Sequence, residues 1–134
     1  MSHGIIYIRK SQDGTGLGPE GQLEWALAEA RRLSVDVDAS AAVLNQMLAC
    51  GGHNQRDLYV DIGISGSLLS RPGFDAMMQR ALEDESATHV FVHQRDRFAR
   101  PEEPIEAMML ENQLRMAGKT LVLLNRILCP RKQG

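Results

Sequence analysis

Gly4-Ile5-Ile6-Tyr7-Ile8-Arg9-Lys10-Ser11 is the stretch on which the fold turns. Three β-branched residues and a tyrosine run together, and turn formers over Asp13–Gly18 close the run, so it reads as a buried strand. Next, Leu23, Leu27, Ala30 and Leu33 recur at helical spacing, with Trp25 nearby and Pro19 and Gly21 marking the entry, which predicts a helix over about 20–33. A second helical pattern, Ala42, Val43, Gln46 and Met47, occupies 39–49 before the breaker Gly51-Gly52. Leu58–Ile62 reads as a strand, and a helix opens at Pro72 with Phe74, Met77, Met78, Ala81 and Leu82 on one face. Thr88–His93 is the next strand. Pro101, followed by Glu102 and Glu103, starts a helix that Gly118 ends, and Lys119–Leu124 is the last strand. Strand alternating with helix four times predicts the α/β class: three layers, with a mainly parallel central sheet of four to five strands and helices on both faces.

The 134 residues make one domain the natural division, 1–134, large enough to bury roughly two-thirds of the surface of the unfolded chain. With 43% hydrophobic and 24% charged residues, collagen-like, disordered and disulfide-framework architectures are excluded. No apolar run approaches the roughly 18 residues of a membrane span, and no basic-then-apolar leader opens the chain, so a cytoplasmic protein without a membrane partner is expected. Cys50 and Cys129 form no pattern, which suits a reducing compartment. Fifteen Lys and Arg against 17 Asp and Glu leave a net charge of −2, so any contact with nucleic acid must come from a local cluster of cations.

Ligands of open α/β sheets bind beyond the carboxyl ends of the strands, and the polar residues gather there. Tyr7, Arg9 and Ser11 share one face of the first strand, with Ser11 at its tip. The second strand ends at Asp61 and runs through Gly63-Ile64-Ser65-Gly66 to Arg71. The third ends in Asp96-Arg97-Phe98-Ala99-Arg100. Guanidinium groups are permanently charged forks that match phosphate oxygens, and four aimed at one point repel one another unless an anion lies between them. A serine oxygen among them is a nucleophile toward phosphorus, and the arginines stabilise the charge of a pentacoordinate transition state. No carboxylate or His/Cys set points to a metal, and no cofactor is implied.

Tyr7-x-Arg9-x-Ser11, Gln22, Asp61-Ile62-Gly63-Ile64-Ser65-Gly66, Arg71-Pro72-Gly73-Phe74 and Asp96-Arg97-Phe98-Ala99-Arg100 together resemble the catalytic domain of the serine recombinases, the resolvase/invertase family, nearest its large integrase-like members. The resemblance covers about residues 4–125. It implies a resolvase-like fold and attack by Ser11 on a DNA phosphodiester, giving a 5′-phosphoserine and a free 3′-hydroxyl. Strand exchange and religation then follow without ATP. By the same resemblance Arg9, Arg71, Arg97 and Arg100 activate the phosphate, Asp96 supports proton transfer or arginine orientation, and Tyr7, Gln22 and Asp61 are supporting positions. The implied partners are double-stranded DNA and further copies of the recombinase, as dimer or tetramer, in the full-length protein.

Three features depart from the family pattern. The 34–57 span is long and is expected to be a surface insertion. The loop after Ser11 is rich in glycine. The chain also stops at Gly134, where the family continues into an oligomerising helix and a DNA-binding region, so the isolated domain is expected to be inactive. A non-catalytic remnant that associates with a full-length recombinase is the alternative of a different class. Two motifs compete with these readings. Gly16-x-Gly18-x-x-Gly21 with Asp36 has the spacing of a dinucleotide fingerprint, but Pro19 interrupts it and Ser11–Thr15 separate it from the strand. Cys50-x₅-Arg56 has cysteine-phosphatase spacing, but a helical pattern precedes the cysteine where a strand is needed. His89 and His93, roughly 13 Å apart along a strand, cannot share a metal and read as strand-face residues. The methionines, among them Met77, Met78, Met108, Met109 and Met116, are read as core or as a helix-docking surface.

Overall fold

The computed structural model describes residues 3–10, 17–50, 53–62, 72–93 and 104–130. Within them lie six strands, β1 (His3–Lys10), β2 (His53–Gln55), β3 (Leu58–Ile62), β4 (Ala87–Phe91), β5 (Thr120–Leu123) and β6 (Arg126–Leu128). Four helices accompany them, α1 (Pro19–Arg32), α2 (Ala41–Ala49), α3 (Pro72–Glu83) and α4 (Pro104–Met116). The strands form one sheet in the order β2-β3-β1-β4-β5-β6. The four central strands are parallel, and β2 and β6 add antiparallel edges.

β1 is the hub of the sheet because it pairs on both sides and buries both faces. Ile6 and Ile8 pack with Leu23, Ala26 and Ala30 of α1, Leu44 and Met47 of α2, and Val60 and Phe91 of the neighbouring strands. Ile5 and Tyr7 pack on the other face with Phe74, Met77 and Ala81 of α3 and Leu114 of α4. Successive side chains thus enter two separate apolar layers, and each large one contributes about 1.5–3 kcal/mol by leaving water. The result is the expected three-layer α/β/α arrangement, and the four strands read from sequence are its parallel core.

The differences lie at the edges. Both missed strands are three residues long and are joined to β3 and β5 by two-residue hairpin connections, Arg56-Asp57 and Leu124-Asn125. Arg56 and Asn125 take the positive φ these tight turns require (58° and 64°) without the Asn-Gly or Asp-Gly signature that announces such turns. The 34–57 span, expected at the surface as an insertion, is built into the layers: Val35, Leu44 and Met47 are buried core and β2 extends the sheet. Ser40 caps α2, its Oγ accepting from the Val43 amide at 3.3 Å. Leu82, read as core, is 38% exposed, next to the end of α3 at Glu83. The helix expected to open at Pro101 is described from Pro104, and 101–103 lie outside the described residues. The methionines divide: Met77 and Met78 are core, whereas Met108, Met109 and Met116 are exposed on α4.

Candidate active site at the carboxyl edge of the sheet

The chain leaves β1 toward α1 and α2 on one face and reaches β3, then crosses by α3 on the other face to β4. The strand order therefore reverses about β1, and the crevice of such a sheet opens at the carboxyl ends beside it. Arg9, Lys10, Asp61 and Ile62 are level there, with Arg9 in register with Asp61.

Asp61 organises this edge. Its side chain is buried, and its Oδ2 accepts from the Tyr7 hydroxyl at 2.7 Å and the Phe74 amide at 2.9 Å, while Oδ1 accepts from the Gly73 amide at 2.8 Å. The carboxylate thus satisfies amides at the start of α3 that have no partner within the helix, and its charge meets the positive end of the helix dipole. Gly73 makes this approach possible: a Cβ there would lie 2.9 Å from the Val60 carbonyl oxygen and 3.0 Å from Asp61 Oδ1. Tyr7, fully buried, also meets Phe74 edge to face with ring centroids 5.4 Å apart.

Arg9 follows Tyr7 on the same face of β1 and is half-buried. The Asp61 carboxylate opposite is occupied by Tyr7, Gly73 and Phe74, and the Arg9 guanidinium has no hydrogen-bond or ion-pair partner among the described residues. On the other side of β1, Gln22 of α1 is buried and its Nε2 donates to the carbonyl oxygens of Arg9 at 3.1 Å and Leu17 at 2.8 Å. One turn further along α1, Trp25 meets His93 edge to face at 5.3 Å, two residues beyond the end of β4.

Of the residues read as site residues, Tyr7, Arg9, Gln22 and Asp61 are thereby brought to one edge. Ser11, Arg71, Asp96, Arg97 and Arg100 lie outside the described residues. One described stretch ends at Lys10, one residue before Ser11, and another begins at Pro72, one residue after Arg71, with Asp61 holding the start of α3. The backbone donors of Gly73 and Phe74 were not foreseen as part of the site. The Pro-Gly pair after Arg71 marks a helix start, and a carboxylate at the end of the preceding strand is the partner such a start needs. The contact of Trp25 with His93 left no mark in the sequence, since it joins residues 68 positions apart.

The rival motifs are arranged for other purposes. Asp36 pairs with His3 at the amino end of β1, the opposite end from where a ribose-binding acid is needed. Cys50 caps the carboxyl end of α2, not the amino end of a helix. Among the described residues no three His, Cys, Asp or Glu side chains gather as a metal site, and no helix is long and apolar enough to cross a membrane.

The family model described as Resolvase, N terminal domain, matches residues 31–133. The chain belongs to the resolvase N-terminal domain family. That match includes Asp61, Arg71, Asp96, Arg97 and Arg100 and begins after Tyr7, Arg9, Ser11 and Gln22. The fold is similar to the crystal structure of the N-terminal catalytic domain of TP901-1 integrase, with a TM-score of 0.66 and 22% identity over 92% of this chain and 78% of that one. Comparison with curated proteins gives no match.

Proposed function

We propose that this resolvase-family chain is the catalytic domain of a serine recombinase that cuts and rejoins DNA through Ser11. The observation that carries the reading is Arg9: a half-buried guanidinium at the carboxyl edge, one residue before Lys10 and two before Ser11, with no anionic partner among the described residues. A cation in that condition is suited to an anion supplied by a substrate. The Ser11 Oγ forms a bond to phosphorus as the bond from phosphorus to the 3′ oxygen breaks. The serine proton is taken up in the site, and the departing 3′ oxygen is protonated to the hydroxyl, with Asp96 supporting proton transfer or arginine orientation. Arg9, Arg71, Arg97 and Arg100 stabilise the charge on the transferring phosphoryl group. The phosphoserine conserves the energy of the broken ester, so a 3′-hydroxyl reseals the strand by reversing the same step. Asp61 and Tyr7 hold β1 against the start of α3, which spaces Arg9 relative to the residue before Pro72.

The partner is double-stranded DNA, reached in the cytoplasm. Self-association of the full-length recombinase belongs to the same reading and is supported by the apolar stripe of Ile105, Met108, Met109 and Met116 on α4. The 134-residue chain alone is inert as a recombinase. It binds duplex DNA no more tightly than about 10⁻⁴ M at physiological salt, without sequence preference, because only a few cations can contact phosphate.

The test fuses the chain to a sequence-specific DNA-binding module and presents nicked duplexes that trap cleavage. A protein–DNA adduct that survives denaturant, with the phosphate mapped to Ser11, is expected, and Ser11→Ala abolishes it while the protein stays folded. An adduct that persists in Ser11→Ala, or a folded fusion that forms none on a randomised duplex pool, overturns the reading.

A further inference from the structure

β2 is the last strand on its side of the sheet, and its neighbour there is β3. Gln55 and Leu58 close the two-residue connection between the two strands, so they form its hydrogen-bonded pair, and Asn54 and Tyr59 form the next, non-hydrogen-bonded one. The main-chain N–H and C=O of Asn54 therefore turn away from β3 toward the open edge, and neither finds a partner among the described residues. An edge in that condition is a template for another strand. Beside it, between this hairpin and α3, lies a cavity of about 410 Å³ lined by Asn54, Tyr59, Gln79, Arg80, Glu83 and Asp84. Tyr59 is buried, and among the described residues its hydroxyl has one partner, Arg80, at a long 3.4 Å. The cavity is acidic. Arg80 is already matched by Asp57 at 2.7 Å and Asp84 at 3.2 Å, so Glu83, exposed and without an ion pair among the described residues, adds an uncompensated negative charge. Asp75, also exposed, lies about two turns before Glu83 on the same face of α3. Arg56, in the connection itself, is engaged by Asp38 at 3.2 Å.

We propose that this corner of the molecule docks an extended basic segment of a partner protein, which adds to the sheet antiparallel to β2 and places a lysine or arginine over the cavity. The residue directly opposite Asn54 exchanges both main-chain hydrogen bonds with it, and its side chain emerges on the face that Asn54 and Tyr59 share, which is the α3 face. There its cation meets Glu83, and its N–H groups reach the Tyr59 hydroxyl oxygen and the side-chain carbonyls of Asn54 and Gln79. Main-chain pairing supplies affinity, and the cavity selects the side chain. A second copy of this chain fits less well. Two-fold pairing of β2 sets Asn54 against Asn54 and brings the acidic faces of two α3 helices to the same side of the joined sheet, with no cation for Glu83. The inference is independent of the chemistry proposed at the carboxyl edge.

The experiment titrates the isotope-labelled chain with three peptides and follows the Asn54 main-chain amide by NMR. The first is acetyl-Thr-Val-Lys-Val-Thr-amide, the second carries glutamate in place of lysine, and the third is the lysine peptide methylated on the lysine main-chain nitrogen. Saturable shifts at Asn54 are expected with the first. The glutamate peptide should bind about tenfold more weakly, since it sets like charges together, and the methylated peptide should not bind at all. Glu83→Gln, a change at an exposed position, is expected to weaken the lysine peptide about fivefold, and Glu83→Lys to reverse the preference in favour of glutamate. No saturable shift at Asn54 with the lysine peptide overturns the site. Equal binding of the methylated peptide overturns strand addition, and equal binding of the lysine and glutamate peptides overturns the choice of a basic segment. Asn54 shifts that grow with protein concentration in the absence of peptide make the edge a contact between copies and overturn the proposal as well.

Discussion

Arg9 and Arg80 sit on the same face of one sheet and are treated in opposite ways. Arg80, in the last turn of α3, lies over the amino edge. There its guanidinium donates to Asp57 Oδ1 at 2.7 Å, Asp84 Oδ2 at 3.2 Å, the Arg56 carbonyl at 3.1 Å and, more weakly, the Tyr59 hydroxyl at 3.4 Å. Burial works against its charge, yet the hydrogen bonds to Tyr59 and Asp57 outweigh that and raise its pKa. Asp57 itself is buried and is shared with His3 Nε2 at 2.6 Å and the Asp38 amide at 2.6 Å, so one carboxylate joins β1, α3 and the approach to α2. At the carboxyl edge the buried carboxylate is Asp61, and its lone pairs go to a tyrosine hydroxyl and two helix amides, all of them neutral donors. The amino edge neutralises its cation internally. The carboxyl edge satisfies Asp61 without using Arg9, as the proposed function requires.

Removing the two arginines should therefore have opposite signatures. Arg9→Ala is expected to reduce adduct formation in the DNA-binding fusion by about 10²–10³, the cost of losing one charge-stabilising donor from a phosphoryl-transfer site. Stability should change by less than about 0.5 kcal/mol, because no pairing among the described residues is lost. A drop in Tm comparable to that of a core substitution would mean that Arg9 is structural and that the two edges are alike.

At the amino edge the effect falls on stability. Asp57→Ala removes the shortest of the hydrogen bonds of Arg80, the carboxylate against His3 and the acceptor of the Asp38 amide, and truncating one partner of a buried ionic cluster costs about 3 kcal/mol. Urea denaturation of the chain measures this directly. Phosphate binding at Arg9 in the protein that remains folded should be unaffected, since the clusters lie at opposite ends of β1 and α3.

A third substitution probes how Asp61 is used. Gly73→Ala forces the helix start and the β3 backbone at Val60 apart, and with them the Asp61 side chain. It should cost about 2 kcal/mol, within the range of overpacked interiors. Because Asp61 and the start of α3 flank Arg9 at the carboxyl edge, adduct formation should fall more than stability alone explains. Equal losses in both would separate Asp61 from the site.

How much of this was legible in the sequence depends on the range of the interaction. β1, β3, β4 and β5 were readable because each is an apolar run whose burial is local information, and α1 and α3 were readable from periodicity. β2 and β6 were not: His53-Asn54-Gln55 and Arg126-Ile127-Leu128 become strands only because a neighbour offers them a ladder. The 34–57 span looked like a surface insertion because it is long against the family pattern, and only the sheet face beneath Val35, Leu44 and Met47 turns them into core. At the site, residue types and spacing singled out Tyr7, Arg9, Gln22 and Asp61. What each does, Asp61 as helix cap and Gln22 as a link between two carbonyls, depends, the local Leu17 carbonyl apart, on contacts across 12 to 54 positions of sequence that no local pattern encodes.

The smallest expected effects concern pH, and they tell the amino-edge network from other acid-labile contacts. The folded-state pKa of Asp84 is lowered from 3.8 to about 2, chiefly by the Ser86 hydroxyl and amide and then by Arg80. A depressed carboxyl pKa stabilises the fold above the unfolded value, and that contribution disappears as pH falls from about 4 toward 2. His89 behaves differently. Burial against Phe91 disfavours its charged form and lowers its pKa, so the unfolded chain takes up the proton first. Its contribution is intact above the ordinary value of 6.5 and is lost as pH falls below it. Thermal melts from pH 8 to 2 should therefore show two separate declines. His89→Phe removes the upper one, Asp84→Asn removes the lower one, and Ser86→Ala moves the lower one up toward pH 4 by more than Arg80→Gln does. If Arg80→Gln moves it more, the ion pair and not the serine turn holds Asp84 ionised, and the order of contributions at the amino edge is reversed.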